Sequence, residues 1–251
     1  MKYDIELCMK VSEKQWIESL QNGTVCFNPV DVFIKKAERN GNNEQGDRYE
    51  GVFARLQKND RRVGKLKIRF GDDLEIIPDN NYVLLRRKSS RKIPIFCMYG
   101  VRRDELGLQE GSVHKKNGEY IGTVVYNFPP RIYNGFLDSS DVWGFYASSG
   151  HFFASLEKAL VANYLPYEKA VINYDIELDK EFYFEPTDNY SELMHKRKEL
   201  KYQHEIRYIL PFSPKYEKYL LKYKPLSKNS CGIAPGALKI EMHCICELLE
   251  D

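Results

Sequence analysis

Apolar and polar residues alternate through YDIELCMKV (residues 3–11), the period of a half-buried strand. SEKQWIESLQNG then gathers Trp16, Ile17 and Leu20 on one helical face, with Ser12 placed to cap it and Asn22-Gly23 to stop it. TVCFNPVDVFIKKAERNG repeats the scheme as a strand, a turn at Asn28-Pro29 and a second helix, so the chain opens β-α-β-α. Three short alternating runs follow, GKLKIRF, LEIIP and YVLLRRK, separated by Gly-Asp-Asp and Asp-Asn-Asn turns. They read as an antiparallel meander. IPIFCMYGV is almost continuously apolar, which predicts a central strand.

EYIGTVVYNF is another strand, and the Pro-Pro, Asn-Gly and Asp-Ser-Ser elements of residues 129–149 mark an aromatic-rich loop. SLEKALVANYL has a helical period, KAVINYDIEL and KEFYFEP read as strands, NYSELMHKRKELKY as a polar helix, and QHEIRYILP as a strand. KYEKYLLKYKP is a short helix or strand ahead of the glycine- and proline-punctuated CGIAPGALKIEMHC. No repeat or linker interrupts the series. The expected fold is a single mixed α+β domain over residues 1–251, with a largely antiparallel sheet and flanking short helices.

Charge narrows the partners. With 38 basic and 36 acidic side chains the net charge is +2, too little for a global field that draws the whole protein onto nucleic acid. Such contact would have to come from local runs such as NDRRVGKLKIRF and LLRRKSSRK, which are otherwise solvated faces. No apolar run reaches the roughly 20 residues of a membrane span and MKYDIELCMK lacks a signal pattern, so a cytoplasmic protein without a membrane partner is expected. The six cysteines are expected to be reduced thiols. HCIC (His243–Cys246) invites zinc, but a strand would put Cys244 and Cys246 on one face and His243 on the other, so no metal is expected. Cys97 and His151 could form a nucleophile pair only if the fold brought them together. There is no Walker or Rossmann glycine pattern.

The chemistry concentrates in KYQHEIRYILP. As a strand it points Tyr202, His204, Ile206, Tyr208 and Leu210 one way and Gln203, Glu205, Arg207 and Ile209 the other. The second set is either a water-facing surface with a weak Glu205–Arg207 pair, or the wall of a cleft whose carboxylate faces developing positive charge. QGDRYEG offers a second acid pair, Asp47 and Glu50, as cleft-lining carboxylates or as a capped turn.

Three stretches in order, VRRDE, YASSG and YQHE, resemble the motifs of ADP-ribosyltransferases of the Arg-Ser-Glu type. The chain has Ala-Ser-Ser-Gly where that family has Ser-Thr-Ser, and two adjacent arginines where one is needed. The resemblance implies NAD as substrate. It implies that Glu205 holds the nicotinamide-ribose hydroxyl and stabilises an oxocarbenium-like transition state, that Ser148 supports it and that Gln203 orients the acceptor. Arg103 or Arg102 would bind the pyrophosphate, with Ser149 and Tyr146 also on the cofactor.

A second resemblance, carried by QGDRYEG and by Tyr-Gln-x-Glu-x-Arg at residues 202–207, is to uncharacterised bacterial and phage-associated proteins of the abortive-infection type. It implies a role in phage–host conflict: a toxin acting on a protein or nucleic-acid target, with a neutralising antitoxin as partner. Two alternatives stand beside the transferase. One is a non-catalytic recognition protein that binds through the aromatic loop Pro129–Tyr146 or the basic runs, and the other an RNA-cleaving enzyme using the same polar cleft.

Overall fold

The structure, a computed structural model, describes residues 5–40, 46–108, 112–127, 142–212, 218–227, 231–235 and 239–246. The β-α-β-α opening is present as β1 (Ile5–Glu13), α1 (Lys14–Gln21), β2 (Thr24–Pro29) and α2 (Val30–Asn40). Ser12 stays in the strand; the residue before α1 is Glu13, whose side chain makes no capping bond. The next unit is β3 (Val52–Gln57), α3 (Arg61–Phe70), β4 (Leu74–Asp79) and β5 (Tyr82–Arg87), followed by β6 (Pro94–Arg102).

Helix α3 overturns the expected strand at GKLKIRF. Asp60 caps it by accepting the Arg62 N–H at 2.7 Å, Val63 and Leu66 bury one side, and Ile68, which alternation would pair with Leu66, is 88% exposed. Six alternating residues fit either period; the cap and the i, i+3 burial decide for the helix.

The chain continues through β7 (Gly107–Leu108), β8 (His114–Lys116), β9 (Glu119–Asn127), β10 (Val142–Ser148) and α4 (Ser149–Ala162). Then come β11 (Glu168–Val171), β12 (Asn173–Ile176), β13 (Phe182–Tyr183), β14 (His195–Arg197) and β15 (Glu205–Ile209). The last strands are β16 (Tyr219–Lys222), β17 (Cys231–Pro235) and β18 (Lys239–Cys246). The polar helix expected at NYSELMHKRKELKY is instead two 3-10 turns, Ser191–Met194 and Lys198–Gln203, on either side of β14. Most of the aromatic loop at 129–146 lies outside the described residues.

The fold is α+β and its sheets are antiparallel except for the β12–β14 pair. The principal sheet runs β11-β15-β6-β1-β10-β17, with β2 attached to β6 and β16 to β2. A second sheet, β13-β3-β5-β4, packs α3 around Phe53, Leu56, Val63, Leu66 and Leu85. A third joins β18, β9, β7 and β8. No described helix is long and apolar enough to cross a membrane.

The expected central strand is β6, which carries β15 on one side and both β1 and β2 on the other. One face of this sheet, through Phe96, Met98, Phe145, Ile206 and Tyr208, packs on α4 in the largest apolar cluster. The opposite face has an apolar cluster at each end, Leu7, Met9 and Val101 at one and Ile93, Ile95 and Ile209 at the other. Between them, by strand alternation, stand Cys97, Tyr99, Glu205 and Arg207. The polar set is therefore enclosed between two dry patches.

The two partners on one side of β6 do not meet. β2 pairs with it through Pro94 and Ile95, β1 from Tyr99 onward, and Phe96–Met98 have no strand neighbour on that side among the described residues. Lys10 reaches into this seam and donates to the Cys97 carbonyl at 2.7 Å. Its ammonium satisfies a carbonyl that the splayed strands leave open.

Candidate functional site

Glu205 opens β15 opposite Tyr99, and Arg207 follows opposite Cys97. Neither faces water: Glu205 is 6% exposed and Arg207 is fully buried, so the solvated-face reading fails. Arg207 Nε donates to Glu205 Oε1 at 2.7 Å, and Lys196 Nζ, on β14, donates to Glu205 Oε2 at 2.5 Å. The far side of the guanidinium grips Glu50, with Nη1 to Oε2 at 2.9 Å and Nη2 to Oε1 at 3.0 Å. Lys196 also lies 3.3 Å from Glu50 Oε1. Beside this set, Arg197 donates to Asp47 at 3.1 Å. Three carboxylates and three cations, all buried, make a neutral network.

The capped-turn reading of QGDRYEG holds, and the cleft-lining reading holds for Glu50 but not for Asp47. Asp47 caps its own turn by accepting the Tyr49 N–H at 3.0 Å, and the turn aims Glu50 at Arg207. Gly51, at φ +72°, lets the chain leave the turn into β3 beneath Leu193. Burial and the neighbouring Glu50 charge push Asp47 above the usual carboxylate range, against the pull of Arg197. Glu205 moves the other way: burial opposes its charge, but Arg207 and Lys196 together hold it well below that range. A carboxylate so held is a poor proton acceptor near neutrality, and its chemistry is electrostatic.

Gln203 does not belong to the strand. It ends the 3-10 turn, and His204, in the left-handed region at φ 38°, breaks the chain direction before β15 begins. Its Oε1 nevertheless accepts from Lys196 Nζ at 3.0 Å, so Gln203 and Glu205 converge through a shared lysine rather than through strand alternation.

The remaining candidates lie elsewhere. Arg102 is exposed and bonds Asp104 at 2.9 Å; Arg103 is exposed and bonds Glu6 at 2.8 Å. Ser148 precedes α4 without capping it, and Ser149 donates its hydroxyl to the Ile5 carbonyl. Tyr146 shares a cross-sheet row with Met9, Tyr99 and Glu205, but three strands away, roughly 14 Å at ordinary strand spacing. Its ring lies over Gly232.

A cavity of about 510 Å³ occupies the seam between β1 and β2, within the range of small-molecule sites. Its inner end is formed by Glu50, Tyr99, Lys196, Gln203, Glu205 and Arg207. Its outer walls come from Lys10 to Glu13, from Trp16 on α1, from Phe33 and Lys36 on α2, and from Lys218 and Leu220 at β16. Glu205 and Gln203 line it; Arg102, Arg103, Tyr146, Ser148 and Ser149 do not.

Cys97 also lines the cavity, but burial first and the Glu205 charge second push its thiol up to about 12. His151 is exposed on α4, which packs on the opposite face of the sheet, so the two do not form a nucleophile pair. Among the described residues no cluster of His, Cys, Asp and Glu could hold a metal, and the side chains of His243, Cys244 and Cys246 lie outside the described ones. Of the basic runs, LLRRKSSRK is largely internal: Arg87 binds buried Glu192, and Arg91 binds Asp31 and Glu75.

Sequence reasoning missed Lys196 and Arg197, placed on a polar helix where their charges looked solvated. The signal for Glu50 was present in QGDRYEG, but not its partner 157 residues away. Compared with known proteins, the chain matches no protein-family model, no curated protein and no solved structure.

Proposed function

We propose that the chain is an NAD-consuming ADP-ribosyltransferase-like enzyme whose cosubstrate occupies the seam cavity with its glycosidic carbon toward Glu205. The observation that carries this reading is a buried carboxylate, held ionised by Lys196 and Arg207, on the wall of a cavity of about 510 Å³. In the reaction the bond between ribose C1′ and the nicotinamide nitrogen breaks with its electron pair on nicotinamide. A nucleophilic oxygen or nitrogen of the target then bonds to C1′ and loses its proton to solvent. An ionised carboxylate favours the positive charge that builds on the ribose during this exchange. Gln203, tied to the same lysine, is the neutral polar group best placed beside the acceptor.

The supporting roles change from those the family resemblance implies. Lys196 and Arg207, rather than Ser148, hold the glutamate. Incubating purified protein with labelled NAD and cell extract tests the reading, wild type against Glu205→Gln, each assayed well below its melting temperature. Label should enter protein or nucleic acid with the wild type and be lost with the variant. Equal labelling by both would remove Glu205 from the chemistry.

A second reading, a recognition pocket that binds without turnover, is favoured by one specific feature. Both Glu205 oxygens are already engaged and the inner network is charge-neutral. It expects ligand binding with no nicotinamide released.

A further inference from the structure

Strands β2 and β6 part company where both are still extended. Their ladder begins with the Val30 N–H donating to the Ile93 carbonyl at 3.0 Å and continues with Pro29 opposite Pro94 and Asn28 opposite Ile95. Carried two residues further, the same register sets Cys26 opposite Cys97. Both cysteines lie within their strands, β2 from Thr24 and β6 to Arg102, so what has opened between them is a lateral gap. Among the described residues neither has a strand partner across it.

Both side chains face the seam. Cys26 Sγ lies 3.7 Å from Asn28 Oδ1 and so shares its side of β2, away from Val25 and Phe27 in the apolar cluster on α4. Cys97 stands on the matching side of β6, away from Phe96 and Met98 in that cluster. Both are free, half-buried thiols, and both line the cavity.

Lys10 stands in for the missing ladder bond. The Gly100 N–H donates to the His204 carbonyl and the Leu210 N–H to the Pro94 carbonyl, so alternate residues of β6 turn their backbone toward β15. Ile95 and Cys97 therefore turn theirs toward β2. The bond that the Cys26 N–H would give the Cys97 carbonyl in a continued ladder is given by Lys10 Nζ, at 2.7 Å. Antiparallel residues paired in this way have Cα atoms about 5.5 Å apart, inside the roughly 4.4–6.8 Å that a disulfide spans.

We infer that Cys26 and Cys97 form a redox site, oxidised by an organic disulfide to an intramolecular bridge that draws β2 onto β6 and narrows the seam. The inference does not rest on the proposed function. In the exchange the Cys26 thiolate attacks one sulfur of the organic disulfide and expels a thiolate. The Cys97 sulfur, having lost its proton, then attacks the Cys26 sulfur of the mixed disulfide and expels a second thiolate. The two expelled thiolates take up the two protons, so the cysteine pair is oxidised and the organic disulfide is reduced to two thiols. Burial raises both thiols, Cys97 to about 12, which slows each attack without deciding the equilibrium. Cys26 leads because the Cys97 thiol is among the donors that hold Glu205 low, and the bridge would take that donor away.

Peptide mapping tests the site. Native protein is incubated with oxidised glutathione, its remaining thiols are alkylated, and it is digested without reductant for mass spectrometry. A Cys26–Cys97 cross-linked peptide pair should appear within single chains, vanish on treatment with dithiothreitol, and be absent from Cys26→Ser. In Lys10→Met the cross-link should form several-fold faster, because nothing then competes for the Cys97 carbonyl. Glutathione adducts on Cys26 without a cross-link, or bridges to other cysteines instead, would overturn the site. Equal rates in wild type and Lys10→Met would overturn the closing of β2 onto β6.

Discussion

Glu50 and Arg207 form a two-pronged ion pair, at 2.9 and 3.0 Å, between side chains that are respectively 2% and 0% exposed. Each comes from one of two motifs that the sequence sets far apart, QGDRYEG and YQHEIR. Their meeting gives those motifs a shared physical task, fixing β15 against the turn that precedes β3. Because both charges are desolvated, removing one leaves the other unmatched.

Glu50→Gln is therefore expected to cost about 3–5 kcal/mol, the range for breaking a buried pair from one side. Denaturant unfolding measures it. Arg207→Gln added to Glu50→Gln should cost clearly less than the two single changes together, because the double variant strands no charge between these partners. Strict additivity would mean that the two residues act independently.

Glu205→Gln is expected to lower the melting temperature as well as activity. At a solvated position this near-isosteric change would be silent for stability. Buried between Lys196 and Arg207, the neutral amide weakens two charge-assisted bonds at once and can turn its NH₂ toward a cation. An unchanged melting temperature would place Glu205 in water and contradict the buried network.

The same network fixes a pH response. Glu205 has its pKa lowered in the fold, so its contribution is present above the ordinary carboxylate value and is lost as pH falls below it. Lys196 has its pKa raised, because Glu205 and Glu50 outweigh burial, so its contribution is present below the ordinary lysine value and is lost as pH rises through its folded value. Glu205 and Lys196 by themselves leave stability level between the ordinary carboxylate and lysine ranges, from roughly pH 5 to 10, and lower it on both sides. Asp47, whose pKa is raised, contributes a loss that sets in as pH rises past the ordinary carboxylate value. Urea midpoints across pH 3–11 check this. In Glu205→Gln the acid limb should become shallower, and an unchanged limb would assign it to other carboxylates.

The sequence reading recovered what local period can carry: the opening β-α-β-α, the central β6, the helix after YASSG and a strand within QHEIRYILP, although that strand starts at Glu205 rather than at Gln203. It failed where two periods fit the same residues, as at α3, and where a segment is ordered by partners rather than propensity. Residues 190–203 have helix-forming composition, yet Lys196 and Arg197 are pulled into a short strand by Glu205, Glu50 and Asp47. No periodicity announces that, because the partners of Lys196 and Arg197 in QGDRYEG lie about 150 residues away. Glu205 and Gln203 were legible as a pair. The reason they meet was not, since His204 breaks the alternation that suggested it and Lys196 replaces it.

Two glycines to alanine should act with opposite sign. A Cβ at Gly46 would lie 2.2 Å from the Phe33 carbonyl oxygen and 3.0 Å from the Ala37 nitrogen, both backbone atoms of α2 that cannot rotate away. The turn must then shift, and with it Asp47 and Glu50, so Gly46→Ala should destabilise by about 2 kcal/mol or more, on the scale of overpacking, and loosen the inner network. Gly64 sits inside α3 with nothing within 4 Å of its would-be Cβ. Gly64→Ala there gains helix propensity and restricts the unfolded chain, and should stabilise by about 0.5–1 kcal/mol. Thermal unfolding of both variants reads the pair. Matched signs would mean either that α2 is not packed on the turn or that residues 61–70 form a strand, for which alanine is no improvement.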